Sequence, residues 1–270
     1  MTADSPTTQT ELVDVRQEGA VLHLDMAAPN GINSLTREVR LALLAALTGP
    51  ALDPEVRVVV LRGKGRTFCV GQALDEHAAR LAADPSSAFD CVDEEYAPLA
   101  QAIRSLPKPV VAAVDGACAG AGLSLALACD IRVLSAKSRV TLAFVGIGLT
   151  ADTGLTATLI QAVGSPRTKA MLMLDQGLTA EQALACGIAD VVAEVDAFDA
   201  ELADIVARLA SGPTQAYAQI KDVVHAAETA TFDRALELES VAQRALGLTA
   251  DHGGAVAAFL NKQPASFAGR

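Results

Sequence analysis

The sequence predicts an α/β fold followed by a C-terminal helical region, and three observations carry that prediction. The runs 56–61, apolar but for Arg57, and 110–114 are rich in β-branched or small apolar residues, as in strands buried on both faces. Segments with helical apolar spacing lie between such runs, so parallel strands joined by right-handed crossovers are expected. From about Ala197 onward the strand signals stop and only helical spacing remains. The chain has 270 residues, 51% of them hydrophobic, which is enough for one large core with a helical appendage.

The elements follow in order. Residues 13–16 and 20–25 read as two strands around the turn Gln17-Glu18-Gly19. Pro29-Asn30-Gly31 is a loop, and Thr36 is placed to cap a helix whose apolar face is Val39, Leu43, Leu44 and Leu47. After the strand 56–61 comes the basic loop Arg62-Gly63-Lys64-Gly65-Arg66. Residues 67–75 lead into a segment with polar ends, and 89–106 read as a helix stopped by Pro107-Lys108-Pro109. Asp115-Gly116 turns the strand 110–114, and Gly120-Ala121-Gly122 opens an apolar helix reaching about Cys129. Short strands at 131–135 and 139–142 precede helices at 153–163, 166–174 and 179–186. The final helices break at Gly212-Pro213 and near Thr229. The expected organisation is a flexible tail over 1–10, an α/β core over 11–196 and a helical region over 197–270.

A net charge of −11 argues against nucleic acid or an anionic membrane as partner. A polyanionic ligand would need a local basic patch. The 5 cysteines form no C-x-x-C pair, which fits reduced thiols acting as small buried hydrophobes in a cytoplasmic protein. The polar, acidic N-terminus does not read as a signal or transit peptide, and no apolar run reaches the length of a membrane span.

Familiar catalytic signatures are missing: there is no G-x-S-x-G, no Walker A, no H-E-x-x-H and no cluster of metal ligands. The four histidines are scattered and read as surface or structural. Two loops remain, each leaving a strand with exposed backbone amides: Phe68-Cys69-Val70-Gly71-Gln72-Ala73-Leu74 and Asp115-Gly116-Ala117-Cys118-Ala119-Gly120-Ala121-Gly122. Two such N–H groups can hold one developing oxyanion. Tight packing of a helix on a strand also calls for Gly and Ala, so pattern alone leaves both readings open.

The run Pro107-Lys108-Pro109-Val110-Val111-Ala112-Ala113-Val114-Asp115-Gly116, then Ala119-Gly120-Ala121-Gly122 and Cys129-Asp130-Ile131-Arg132, resembles the central signature of the enoyl-CoA hydratase/isomerase (crotonase) family. Arg62-Gly63 with the Phe68 to Leu74 run, Thr179-Ala180-Glu181-Gln182-Ala183 and Gly187-Ile188-Ala189-Asp190 extend the likeness over nearly the whole chain. The resemblance implies a crotonase-like spiral of repeated ββα units whose C-terminal helices serve a trimer or a hexamer built as two trimers. It implies an acyl-CoA substrate, with coenzyme A as part of the substrate and no separate cofactor or metal. It assigns the oxyanion hole to the Gln72 and Ala121 amides, flanked by Gly71 and Gly120. Asn30, Gly31, Ile32, Ala73 and Leu74 would clasp coenzyme A, while Phe259 and Lys262 would meet its adenine–phosphate end, often from a neighbouring subunit, with Lys262 and Arg66 supplying local positive charge.

The resemblance also assigns two hydratase glutamates to positions that here hold Ser124 and Phe144, which would line the substrate site without performing their proton transfers. Asp152, in Leu149-Thr150-Ala151-Asp152-Thr153-Gly154, resembles the carboxylate of the dienoyl-CoA and ring-1,2-epoxyphenylacetyl-CoA isomerase branch. The expectation is therefore an isomerase that shifts a double bond or opens an epoxide, with Asp152 as acid/base. Capping of the helix that follows is the plain structural alternative for Asp152. A hydratase with a second, unidentified group and a non-catalytic acyl-CoA-binding subunit are the competing functions. Asp75, Glu76, Glu94 and Glu95 lie in segments that could reach the pocket as that second group, but read first as a solvated acidic face, and nucleophilic catalysis of the dehalogenase kind is disfavoured because the 89–106 helix carries Tyr96 and no histidine.

Overall fold

The structure is a computed structural model and describes residues 12–270; the expected tail over 1–10 lies outside the described residues. β1 (Val13–Glu18) and β2 (Val21–Met26) form an antiparallel hairpin, turned at Gly19, whose φ is +57°. β2 then starts a parallel run through β3 (Val58–Gly63), β5 (Val110–Val114), β7 (Ile131–Ser135) and β10 (Val191–Ala193). A second sheet stacks β4 (Thr67–Cys69), β6 (Ala117–Ala119) and β8 (Arg139–Thr141) in parallel, with β9 (Leu178–Thr179) antiparallel at its edge. The successive pairs β3 and β4, β5 and β6, and β7 and β8 each lay one strand in each sheet before a helix returns the chain, which is the spiral of ββα units.

The continuous apolar runs have a direct cause. In β3, Val59 and Leu61 face the main core, while Val58 and Val60 face a second core closed by Phe198, Leu202 and Val206. Both faces of the central strands are dry, and each valine so buried contributes about 1.5–3 kcal/mol. The covering residues belong to α8 (Phe198–Ser211), which begins where the sequence turns wholly helical. It is followed by α9 (Thr214–Ala227), α10 (Phe232–Leu246) and α11 (Ala250–Leu260). A third break, at Gly247–Thr249, separates the last two. The end of the chain folds back: Asp251 accepts from the Ala268 and Gly269 amides at 2.7 and 2.8 Å, and Arg57 donates to the Phe267 carbonyl at 3.0 Å.

The main-core helices are α1 (Arg37–Thr48), α2 (Leu74–Ala83), α3 (Ala97–Ser105), α4 (Ala121–Ala128), α5 (Leu155–Val163), α6 (Ser165–Leu174) and α7 (Ala180–Ala185). Thr36 caps α1 as expected, accepting from the Val39 amide at 3.3 Å. The helix expected over 89–106 runs without a break over 90–105, with a π-helical turn, Val92–Tyr96, inside it ahead of α3. Pro98 has no N–H to give the Glu94 carbonyl, and the wider turn, closed by the Ala97 amide on the Val92 carbonyl, accommodates that gap. α2 and β6 did not stand out in the sequence. α2 buries only His77, so its apolar stripe is thin, and β6 is three residues of Ala and Cys.

Candidate active site

Sheet topology creates the site. β4 and β6 are parallel neighbours, with Cys69 opposite Cys118, so the loops leaving their C-terminal ends emerge side by side. Gly71 (φ +87°) and Gly120 (φ +54°) turn the two loops toward one another. A Cβ on Gly71 would stand 3.2 Å from the Ala121 nitrogen and 3.1 Å from the Ala119 carbonyl oxygen, so glycine lets the loops touch. Behind them, a Cβ on Gly122 would lie 2.4 Å from the Cys69 carbonyl oxygen. The close packing of helix on strand is therefore real, and it coexists with the amide arrangement instead of replacing it.

The segment before α1 fixes the first loop. The Leu35 amide donates to the Gly71 carbonyl at 2.7 Å and Leu35 forms a parallel bridge with Gln72. In that pairing the Gln72 N–H points away from Leu35. Asn33, buried, braces the same segment by accepting from the Ala28 amide and donating to the Lys64 and Thr67 carbonyls. Ala121 is the first residue of α4, where N–H groups lack a partner within the helix. Among the described residues, neither the Gln72 nor the Ala121 amide donates to another protein group.

Both amides open on a cavity of about 630 Å³. Its lining includes Gly71, Gln72, Ala73, Leu74, Gly120, Ala121, Phe144 and Asp152, so eight separate expectations meet in one place. Ser124 is not on that lining; it is buried beneath it, its hydroxyl donating to the Asp152 carbonyl at 3.3 Å. Asn30, Gly31 and Ile32 form a neighbouring loop joined to Arg66, whose amide donates to the Gly31 carbonyl at 2.8 Å. These four also lie off the lining. Phe259 and Lys262 end α11 and its following turn, exposed and away from this cavity within the chain. A second cavity, about 410 Å³ beside α9 and lined by Tyr217, Lys221 and His225, contains neither the amides nor Asp152.

Asp152 does not cap the next helix. Gly154, at φ +81°, occupies the cap position of α5 without a side-chain bond, and the Asp152 carboxylate instead accepts from the Thr153 hydroxyl at 2.8 Å. Burial raises the Asp152 pKa above the ordinary aspartate range, and the Thr153 hydrogen bond draws it partly back. Thr153 holds a left-handed backbone (φ +55°), a strained conformation for a β-branched residue. Of the other carboxylates on the lining, Asp175 accepts from the Ala143 amide at 2.8 Å and Asp75 from the Glu76 amide at 3.0 Å. The thiols of Cys69 and Cys129 are pushed up to about 12 by complete burial, which leaves them as packing groups.

One reading of the sequence is corrected here and another, a structural histidine, finds its place. Glu95 does not belong to a solvated acidic face: it is 5% exposed and bound by Arg37 and Arg40. His77 is buried beside the site, its ring nitrogen Nδ1 3.3 Å from the Gln72 side-chain amide. The sequence held one unread signal for the first. Arg40 sits on the apolar stripe of α1, three, four and seven residues before Leu43, Leu44 and Leu47, and a charge there requires a buried partner.

The family model described as enoyl-CoA hydratase/isomerase matches residues 16–270. A Rhodobacter capsulatus protein named "Probable enoyl-CoA hydratase" is 40% identical over 93% of this chain and 95% of its own length. The 1,2-epoxyphenylacetyl-CoA isomerase of Escherichia coli is 34% identical over 94% of this chain and 97% of its own. The crystal structure of an enoyl-CoA hydratase from Polaromonas sp. JS666 superposes with a TM-score of 0.89 at 29% identity, covering 94% of this chain and 99% of that one. With the ββα spiral and the paired strand-end loops already in place, these matches make the chain an enzyme of the enoyl-CoA hydratase/isomerase (crotonase) family.

Proposed function

We propose that the protein is an acyl-CoA isomerase that moves a double bond within the acyl chain through an enolate. The observation that carries this reading is the lining of one cavity by two unpaired amides, Gln72 and Ala121, and one carboxylate of raised pKa, Asp152; the family resemblance, for its part, aligns Ser124 and Phe144, neither of them a carboxylate, with the hydratase glutamates. Isomerisation needs a single proton shuttle. With a 3-enoyl thioester, the Asp152 carboxylate removes a proton from C2, and the electron pair moves onto the thioester oxygen as a dienolate. The two N–H groups donate to that oxygen, and each such donor is worth about 2.7–4 kcal/mol in the transition state. The protonated Asp152 then gives its proton to C4, and a 2-enoyl thioester results. Partial burial suits the residue to both halves, since it strengthens the base and keeps the acid competent.

On this reading coenzyme A runs from the cavity toward the Asn30–Ile32 loop and Arg66. Phe259 and Lys262 reach the adenine–phosphate end from a neighbouring subunit of a trimer or hexamer. Water addition is the second reading. It is favoured by the 40% identical relative named as a hydratase and by Asp75 and Asp175, either of which could act as a second group on the same lining.

One experiment separates the two. The protein is incubated in deuterated water with 3-enoyl-CoA and with 2-enoyl-CoA, and products are followed by mass spectrometry. Double-bond migration with exchange of one hydrogen, abolished in Asp152→Asn while acyl-CoA affinity persists, supports isomerisation. A gain of water on 2-enoyl-CoA, lost in the same variant, would establish hydration instead. Thioester binding without any turnover by the wild type would point to a non-catalytic acyl-CoA-binding subunit.

A further inference from the structure

Arg40 is wholly buried, on the second turn of α1, and its guanidinium is shared among four groups. It donates to the Leu35 carbonyl, to Glu95 Oε2 at 2.7 Å, to Glu76 Oε1 at 2.9 Å and to the Tyr96 hydroxyl at 3.2 Å, and it lies over the Tyr96 ring at 4.6 Å. The four partners belong to three supports of the first oxyanion loop. Leu35 forms the bridge to Gln72, and its amide holds the Gly71 carbonyl at 2.7 Å. Glu76 is in the first turn of α2, which begins two residues after Gln72. Glu95 and Tyr96 belong to the π-helical turn preceded by Cys91, whose Sγ is 4.0 Å from the Gln72 side-chain amide.

Residue Gln72 is therefore held from the segment before it in space, from the helix after it in sequence, and from the turn beneath its side chain, while its N–H stays free among the described residues. One buried cation joins all three. A planar fork with several fixed donors suits this task, and a flexible ammonium would not satisfy the same four acceptors. Hydrophobic packing could hold α1 in place, but it would not orient the Leu35 carbonyl.

We infer that Arg40 is a positioning residue for catalysis, setting the direction of the Gln72 amide in the oxyanion hole through Leu35, Glu76 and Glu95. The inference rests on the role given to Gln72 above, and its test keeps the two apart. 4-Dimethylaminocinnamoyl-CoA is a conjugated thioester whose absorption band moves to longer wavelength when its carbonyl oxygen is polarised. Bound to the wild type, it should show that shift. Arg40→Met and Arg40→Lys should bind the probe yet show a smaller shift, with kcat reduced on the order of 100-fold and KM altered far less, as expected when a donor is misplaced by about 1 Å. Arg40→Lys retains the buried charge and serves as the readout if Arg40→Met does not fold. Arg37→Met, which removes only an exposed partner of Glu95, should keep the wild-type shift. A full shift and full kcat in folded Arg40→Lys would overturn the inference, as would lowered thermal stability with an unchanged shift. Absence of any shift in the wild type would instead refute the role of the amides themselves, and this inference with it.

Discussion

Gly122 offers a sharp test of how finely the two loops are set. In Gly122→Ala the new methyl carbon would lie 2.4 Å from the Cys69 carbonyl oxygen, 2.8 Å from the Cys69 Cβ and 2.9 Å from its carbonyl carbon. The crowding is mostly backbone, which has no rotamer to adopt. Ordinary contact begins near 3.4 Å, so α4 and β4 must part by roughly 1 Å at this point. Two effects on stability then oppose each other. Alanine is favoured over glycine in a helix by about 1 kcal/mol, and overpacking a dense interior costs about 1–3 kcal/mol. The net loss is modest, and the variant should fold. Catalysis should suffer more, because Ala121 precedes the substituted residue and Cys69 lies three before Gln72, so the parting changes the distance between the two amides. A displacement near 1 Å corresponds to a kcat lower by roughly 100-fold, with a smaller change in KM. The assay is steady-state turnover of an enoyl-CoA thioester, alongside thermal unfolding. Gly253→Ala is the control: it lies in α11 with nothing within 4 Å of the added carbon, and it should gain up to about 1 kcal/mol with no change in kcat. A wild-type kcat in Gly122→Ala would refute the argument, because the loops would then tolerate separation.

Three further outcomes are expected. As a base with a raised pKa, Asp152 should give kcat/KM an acid limb that falls as pH drops through that pKa, and Thr153→Ala, which removes the pKa-lowering hydrogen bond, should move the limb to higher pH. A raised folded-state pKa favours the native state below the unfolded value of about 3.9, and this contribution is lost as pH rises through the folded value. Asp152→Asn escapes that loss, so its unfolding temperature should exceed the wild type's by more at pH ~7 than at pH ~4. Lys221, 7% exposed, binds Asp130 at 2.8 Å beneath α9, and burial already raises the Asp130 pKa; Lys221→Met should cost about 3–5 kcal/mol in urea unfolding, and a loss below about 1 kcal/mol would show the pair to be dispensable.

The sequence alone determined a good deal. Short valine-rich runs bounded by turn signals read as strands dry on both faces, so the α/β core and the helical layer over it were legible from 56–61, 110–114 and the change near Ala197. The glycines at 71, 120 and 122 marked two strand-end loops, which the fold brings to one cavity, and the motifs around them carried the family. Tertiary structure decided the rest, because the deciding interactions join residues far apart in the chain. Whether Asp152 caps a helix or faces a cavity depends on Gly154 taking the cap position and on Thr153 holding the carboxylate. Glu95 and Arg40, 55 residues apart, neutralise one another only once the π-helical turn packs against α1, and a residue-by-residue reading must take each as solvated. Charge pairing and amide direction are properties of packing, and local pattern does not encode them.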